Sequence, residues 1–193
     1  MIQEEKPRLF IAINVPLAVR QELGRLQATL RDVDENLRDL ISWARLDGLH
    51  LTLQFLGEIT ETRSKVVARI LDEVVPEHPA FSMDLAGLGA FPVPSRARVL
   101  WVGVRRGVER VNRLQRELED RLLQVGFSRE DRAFEAHLTL ARLKDARRLT
   151  QLVARHSSYE IAAVPVKSVC LMRSDRDRGG SVYTELHSVN LRA

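Results

Sequence analysis

Apolar and polar residues follow two different periods along this chain, and the changes of period predict its secondary structure. Residues 8–14 form an apolar run typical of a buried opening strand. From 17 to about 33 the apolar residues recur three or four positions apart, which predicts a helix with Pro16 at its start. The same spacing predicts three further helices: one capped by Thr60 or Thr62 and closed by Pro76 and Pro79, one over 108–125, and a short one around 146–156.

Alternating or continuous apolar runs between these helices predict the strands. The predicted strands are 41–44, the segments that begin at 50 and 137, and 81–85, 98–104, 159–164, 166–173 and 182–191. The charged segment 174–180 is interpreted as a solvated loop. The glycines of 87–94 lack a third glycine and open no helix, so they do not predict a nucleotide-binding loop. Because strands outnumber helices and cluster along the chain, the pattern favours an α+β fold with antiparallel sheets.

The tetrapeptide His-Leu-Thr-Leu occurs twice, at 50–53 and at 137–140. On a strand, the histidine and threonine of each copy share one face while the two leucines point to the other. A single copy is more often a half-exposed polar face than a functional site. Two copies in matched surroundings favour function, because no structural need for histidine at both places is evident. The motifs lie 87 residues apart, near half the chain, which indicates an internal pseudo-repeat.

Composition narrows the class of protein. The chain has 193 residues, 45% of them hydrophobic and 29% charged, which is ordinary for a folded protein. Its net charge of +4 is carried mainly by arginine and permits an anionic partner without requiring one. Cys170 is the one cysteine and lies in an apolar stretch, so a buried, inert thiol is expected. No apolar run approaches the ~20 residues that span a bilayer, and we expect a cytoplasmic protein without membrane association.

Two His-x-Thr strands suit proton transfer on both sides of a phosphate. In hydrolysis of a cyclic phosphodiester, the attacking water loses a proton and the leaving ribose oxygen gains one, in roughly opposite directions. Two histidines can make these transfers near neutral pH, and threonine hydroxyls can donate hydrogen bonds to the other phosphate oxygens. Neither motif has an adjacent carboxylate of the kind metal hydrolases use, so no metal and no cofactor is predicted.

The chain resembles the 2H phosphoesterase superfamily, and within it the RNA 2′,3′-cyclic phosphodiesterase branch also called 2′-5′ RNA ligase. The resemblance covers nearly the whole chain, because it includes the opening strand, Trp43, both motifs with their flanks, and segments 87–92 and 99–101. It implies one domain, 1–193, of two interleaved lobes. Each lobe gives one motif strand to a central cleft, within a bilobal α+β fold of two antiparallel sheets with outer helices.

The resemblance also implies residue roles. Position in the chain assigns His50 as proton donor and His137 as proton acceptor, although the reverse stays open because the motifs are nearly identical. Thr52 and Thr139 complete the predicted catalytic set. Arg142 and Phe55 are predicted to bind substrate, through phosphate and a stacked base. Each lies five residues after its histidine, on the opposite pleat face of a regular strand, so these two roles require a twist, a bulge or a long reach.

The leading functional hypothesis is metal-independent hydrolysis of RNA 2′,3′-cyclic phosphate ends to 2′-phosphates. One alternative is reversible 2′-5′ ligation of RNA by the same residues. Another is a non-catalytic RNA-binding module, against which the intact motifs argue. The expected partner is RNA with 2′,3′-cyclic phosphate ends, with tRNA fragments as one candidate, and no protein partner is implied. The natural RNA and the oligomeric state are not written in the sequence.

Overall fold

The computed structural model describes residues 6–33, 40–177 and 180–193. Within these ranges the chain forms nine strands and four α-helices. The strands are β1 (Arg8–Asn14), β2 (Ile41–Trp43), β3 (His50–Glu58), β4 (Phe81–Phe91), β5 (Ala97–Val104), β6 (His137–Arg147), β7 (Glu160–Val166), β8 (Ser168–Asp177) and β9 (Gly180–Asn190). The helices are α1 (Leu17–Val33), α2 (Glu61–Val74), α3 (Val108–Gln124) and α4 (Thr150–Arg155).

The described strands form one antiparallel sheet in the order β7-β4-β5-β6-β3-β1-β8-β9, with β2 added beside β6. The sheet has two halves, each built around one motif strand. On one side β3 pairs with β1 and then β8, and on the other β6 pairs with β5 and then β4. The halves meet at the pair Leu51–Leu138 between β3 and β6. The predicted α+β class is confirmed, and the two predicted antiparallel sheets are joined at this pair.

Helices cover one face of the sheet because each carries an apolar stripe. Val111, Leu114 and Leu118 of α3 are fully buried, as are Val67 and Leu71 of α2. The hydroxyl of Thr60 accepts a hydrogen bond from the backbone N–H of Arg63 and caps α2, which decides between the two predicted caps. The main core therefore lies between these helices and the leucine faces of the motif strands.

Most predicted elements are confirmed, with three corrections. The predicted helix 146–156 is shorter, because β6 continues to Arg147 in register with Ala97 and only Thr150–Arg155 is helical. The predicted loop 174–180 is wrong as far as the structure describes it: 174–177 are paired with β9, since cross-strand hydrogen bonds outweigh local charge. Residues 178 and 179 of that prediction lie outside the described part of the chain. The glycine-rich 87–91 extends β4.

Two smaller expectations also have outcomes. Cys170 is buried, and burial raises the pKa of its thiol to about 11, as an inert side chain requires. None of the helices in the described ranges is long and apolar enough to cross a membrane. The cytoplasmic location stays a prediction.

Candidate active site

The two motifs lie side by side at the centre of the sheet. Leu51 and Leu138, each between the histidine and threonine of its motif, are paired and fully buried. The antiparallel alignment set by this pair brings His50 beside Thr139 and Thr52 beside His137. The four side chains are on the face opposite the leucines and are only partly exposed. The two histidines therefore occupy one diagonal of a four-residue array, and the two threonines occupy the other.

Each motif histidine is held by the backbone just before its own strand. The Nδ1 of His50 is 2.7 Å from the carbonyl oxygen of Gly48, and the Nδ1 of His137 is 2.6 Å from that of Glu135. A carbonyl oxygen only accepts hydrogen bonds, so Nδ1 carries the proton and donates it in both cases. Nε2 is therefore the nitrogen of each ring that is left for proton transfer. That nitrogen accepts a proton when the ring is neutral and donates one when the ring is charged.

A β-bulge lies at the fourth residue of each motif. Ala12 and Ile11 of β1 pair with Thr52 and Gln54, so Leu53 has no partner of its own. Likewise, Trp101 and Leu100 of β5 pair with Thr139 and Ala141, so Leu140 is the extra residue of β6. The bulges make two consecutive residues of each strand face the core, and Leu53, Gln54, Leu140 and Ala141 are all buried. Alternation resumes one residue late.

The bulges bring the two remaining predicted residues to the face that carries the histidines. Phe55 and Arg142 each come five residues after their histidine, and both are exposed. The Arg142 guanidinium lowers the pKa of both His50 and His137, which means that it lies near both rings. The ring of Phe55 is 50% exposed, and its centroid is 6.3 Å from that of Phe10. The structural objection to both residues is thereby removed.

His50 lies in an aromatic enclosure. Its ring centroid is 4.7 Å from that of Phe10 and 4.9 Å from that of Tyr183, which comes from β9. Burial lowers its pKa to about 4, although the bond to the Gly48 carbonyl opposes this shift. Smaller contributions in the same direction come from the charges of Arg20 and Arg142. The imidazole of His50 is therefore neutral near pH 7.

His137 has a matching pair of aromatic neighbours, Phe91 at 4.9 Å and Trp101 at 5.8 Å between ring centroids. Burial lowers the pKa of His137 as well, and Arg142 adds to this shift. The carboxylate of Glu135 works in the opposite direction, because a nearby negative charge favours the protonated ring. The two histidines thus share a backbone setting but differ in their charged neighbours.

Sequence reasoning missed two residues near His50. Tyr183 lies 133 positions away along the chain, and only the pairing of β9 with β8 and β8 with β1 brings it close. Arg20 lies on α1, where helical spacing gave no sign of a cleft residue. The other histidines have partners elsewhere: His78 with Glu117, His187 with Asp72, and His156 with the carbonyl of Leu152. In the described ranges, no three His, Cys, Asp or Glu side chains are grouped as metal ligands.

Known proteins resemble this chain over most of its length. The family model described as the 2′-5′ RNA ligase superfamily matches residues 15–178. An Aeropyrum pernix protein named RNA 2′,3′-cyclic phosphodiesterase is 38% identical over 170 residues, covering 86% of this chain and 95% of its own. A Methanothermobacter thermautotrophicus protein of the same name is 29% identical, covering 96% and 100%.

Solved structures give the same result for the fold. A Thermus thermophilus protein superposes with a TM-score of 0.81 at 28% identity, over 96% of this chain and 98% of its own. Escherichia coli LigT, in complex with 3′-AMP, superposes with a TM-score of 0.80 at 26% identity, over 98% and 100%. The chain therefore belongs to the 2′-5′ RNA ligase superfamily and is an enzyme.

Proposed function

We propose that this protein hydrolyses the 2′,3′-cyclic phosphate at the end of an RNA strand to a 2′-phosphate, without a metal ion. The observation that carries the proposal is the diagonal array of His50, Thr52, His137 and Thr139, in which Nδ1 of both histidines bonds to a backbone carbonyl and leaves Nε2 for proton transfer. The relatives named RNA 2′,3′-cyclic phosphodiesterase supply the substrate class.

In the proposed step, a water oxygen attacks phosphorus as the bond from phosphorus to the ribose 3′ oxygen breaks. Nε2 of His137 takes a proton from the water, and Nε2 of His50 gives one to the 3′ oxygen. Entry and departure on opposite sides of phosphorus match two histidines at opposite corners of the array. A bound phosphate carries negative charge, and this charge raises the pKa of His50 toward the range in which the ring can be protonated.

The neighbouring groups stabilise the phosphate. The hydroxyls of Thr52 and Thr139 occupy the other diagonal and donate to the two non-bridging oxygens, on which charge builds up. Arg142 lies near both histidines and provides the balancing positive charge. Phe55 borders a cavity of about 440 Å³ that is also lined by Arg63 and Phe127, and its exposed ring is available for stacking by a base. We further propose that the chain is one domain of two interleaved lobes around this site.

The superfamily description favours a second candidate activity, reversible 2′-5′ ligation of RNA ends. A 5′-hydroxyl then replaces water as the nucleophile, and the same two histidines exchange their protons in the same way. Ligation therefore requires no additional group in the site. The difference between the two activities lies in which nucleophile is held beside His137.

The proposal is tested with a short RNA that ends in a 2′,3′-cyclic phosphate, incubated in EDTA with and without an RNA that has a 5′-hydroxyl. The expected result is turnover to a 2′-phosphate end at an undiminished rate in EDTA. A predominant 2′-5′-linked product in the presence of both RNAs would favour the ligase. Binding without turnover would support a non-catalytic RNA-binding module, and a requirement for a divalent ion would contradict the proposed mechanism.

A further inference from the structure

Arg20 is a cationic side chain beside His50 that has no acidic partner in the described parts of the chain. The structure gives it one hydrogen bond, from Nε to the carbonyl oxygen of Val15 at 2.9 Å, and no ion pair. Several other arginines in these ranges do have carboxylates within reach, such as Arg25 with Glu22 on the same helix. Arg20 is also partly buried, where a positive charge without a counterion is costly.

Backbone geometry fixes where this charge lies. Val15 follows Asn14, the last residue of β1, whose Cα is the register partner of His50. Because Nε is held by the Val15 carbonyl, the guanidinium is anchored one residue beyond the position opposite His50, with both Nη groups still able to donate. Arg20 also lies in the first turn of α1, where the helix dipole disfavours a cation and no acidic residue compensates. An anionic ligand would relieve each of these costs.

Arg20 and Arg142 differ in their relation to the two histidines. The charge of Arg142 acts on both rings, whereas that of Arg20 acts on His50 and is absent among the causes that shift His137. The strand β1, which leads into Arg20, pairs with β3 on the side away from β6, so Arg20 lies on the side of His50 that is remote from His137. Arg142 lies on β6 itself and is the residue assigned to the reacting phosphate. An anion bound by Arg20 is therefore a different group from the reacting phosphate.

The reaction direction identifies that anion. If His50 protonates the ribose oxygen, the ribose and the rest of the strand lie on the side of His50, and water enters on the side of His137. The next negative charge of an RNA strand on that side is the phosphate attached to the 5′ oxygen of the terminal ribose. We propose that Arg20 binds this 5′ phosphate and makes the enzyme selective for phosphorylated or polymeric ends over a bare nucleoside cyclic phosphate. This inference rests on the proposed function and on its assignment of His50.

The matched substrates are adenosine 2′,3′-cyclic phosphate with and without a 5′-phosphate, since they differ only in the proposed ligand of Arg20. The measured quantity is the ratio of their kcat/KM values. We expect the wild-type protein to favour the 5′-phosphorylated substrate by about 10-fold to 100-fold, as one charged hydrogen-bonding contact provides. Arg20→Met should bring the ratio close to one, and Arg20→Lys should restore part of it. Arg25→Met is the control on the same helix and should keep the wild-type ratio.

Three results would overturn the inference: no wild-type preference, an Arg20→Met variant with the wild-type ratio, or equal losses on both substrates. Equal losses would mean that Arg20 acts on the reacting phosphate or on the fold. If the wild-type protein turns over neither substrate, the proposed function fails and calorimetry decides the inference separately. Adenosine 2′,5′-bisphosphate should then bind more tightly than adenosine 2′-phosphate, and Arg20→Met should abolish the difference. Equal affinities in the wild-type protein would exclude the proposed subsite.

Discussion

The two halves of the sheet present the same tetrapeptide in the same local backbone but in different surroundings. His50 and His137 both donate Nδ1–H to the carbonyl two residues earlier, both have two aromatic neighbours, and both precede a bulge at the fourth motif residue. They differ in the charges nearby, which are Arg20 for His50 and Glu135 for His137. The backbone just before each motif therefore fixes which atom of each ring can react, while the charged side chains nearby adjust its proton affinity.

This comparison shows why the roles of the two histidines cannot be assigned from resting pKa values. Burial lowers the pKa of both rings, that of His50 to about 4, so both rings are neutral near pH 7 before substrate binds. The proposed cycle needs a charged His50 beside a neutral His137. A pH profile depends on the population of the correct state and is the same for either assignment. Only an experiment that removes the need for one proton transfer separates the roles.

The largest expected effect comes from removing either imidazole. His50→Ala and His137→Ala should each lower kcat/KM by about 10²-fold to 10⁴-fold on a cyclic phosphate end, because each loses one proton transfer. On a substrate with sulfur in place of the leaving 3′ oxygen, His50→Ala should recover much of its rate, since a thiolate leaves without a proton. His137→Ala should not recover.

The control for this pair is His156→Ala, because the His156 ring bonds to the Leu152 carbonyl of its own helix and lies against the ring of Tyr159. This variant should keep the wild-type rate. Recovery of His137→Ala in place of His50→Ala would reverse the assignment and remove the basis for placing the RNA strand beside Arg20. Near-wild-type hydrolysis by either alanine variant would contradict the two-histidine mechanism.

A smaller effect is expected from removing the hydroxyl of either motif threonine. Thr52→Val and Thr139→Val keep the shape of the side chain but remove one donor to a phosphate oxygen. Each should lower kcat by about 10-fold to 100-fold, somewhat below the loss of a buried oxyanion donor, because the array is partly open to water. Single-turnover rates at saturating substrate measure the effect, and Thr184→Val on the exposed face of β9 is the control. Unequal losses would mean that the pseudo-symmetry does not extend to the threonines.

The aromatic rings beside the two histidines should differ in how well they tolerate an added methyl group on a neighbouring glycine. A Cβ at Gly89 would lie 2.1 Å from the ring of Trp101, whereas one at Gly48 would lie 2.9 Å from the ring of Tyr183. Gly89→Ala should therefore displace Trp101 from His137 and lower the free energy of unfolding by about 1–3 kcal/mol. Gly48→Ala should cost less. Denaturant unfolding of both variants measures the difference, and an equal or reversed order would show that the ring of Trp101 moves aside freely.

The smallest effect concerns the charged neighbour of His137. The carboxylate of Glu135 favours the protonated ring, so Glu135→Gln should lower the pKa of His137 further and leave that of His50 unchanged. Because kcat/KM reports the free enzyme, the limb of its pH profile that His137 sets should move to lower pH. NMR titration of the imidazole protons follows both rings, with Asp145→Asn on β6 as control. An unchanged or raised pKa of His137 would contradict this account.

Local pattern was enough to predict most of the strands and helices and the four residues of the array. The opening strand, α1 and α3 agree with the predicted ranges to within one residue, because their apolar periods are long and regular. The short helix and the segment 174–180 were wrong for the opposite reason. Those stretches are polar, and pairing with a distant strand decides their structure.

The positions of the bulges could not be predicted from the sequence of one strand alone. Leu53-Gln54 and Leu140-Ala141 break the alternation, but which residue lacks a partner depends on β1 and β5, which lie elsewhere in the chain. The positions of Phe55 and Arg142 depend on the same information. Arg20 and Tyr183 approach His50 only through the order of strands in the sheet, so no local pattern could have indicated them.

The hydrogen bond from each Nδ1 to a backbone carbonyl affects how the two histidines regain their starting protonation after each turnover. In the proposed cycle His137 ends with an extra proton and His50 lacks one, and both must be reset before the next substrate reacts. A peptide carbonyl cannot take up or deliver a proton. Neither ring can therefore exchange a proton through Nδ1, as a histidine bonded to an aspartate could. Both rings must therefore regain their starting protonation through Nε2, by exchange with water. A product that stays bound between the rings would block this exchange at both histidines.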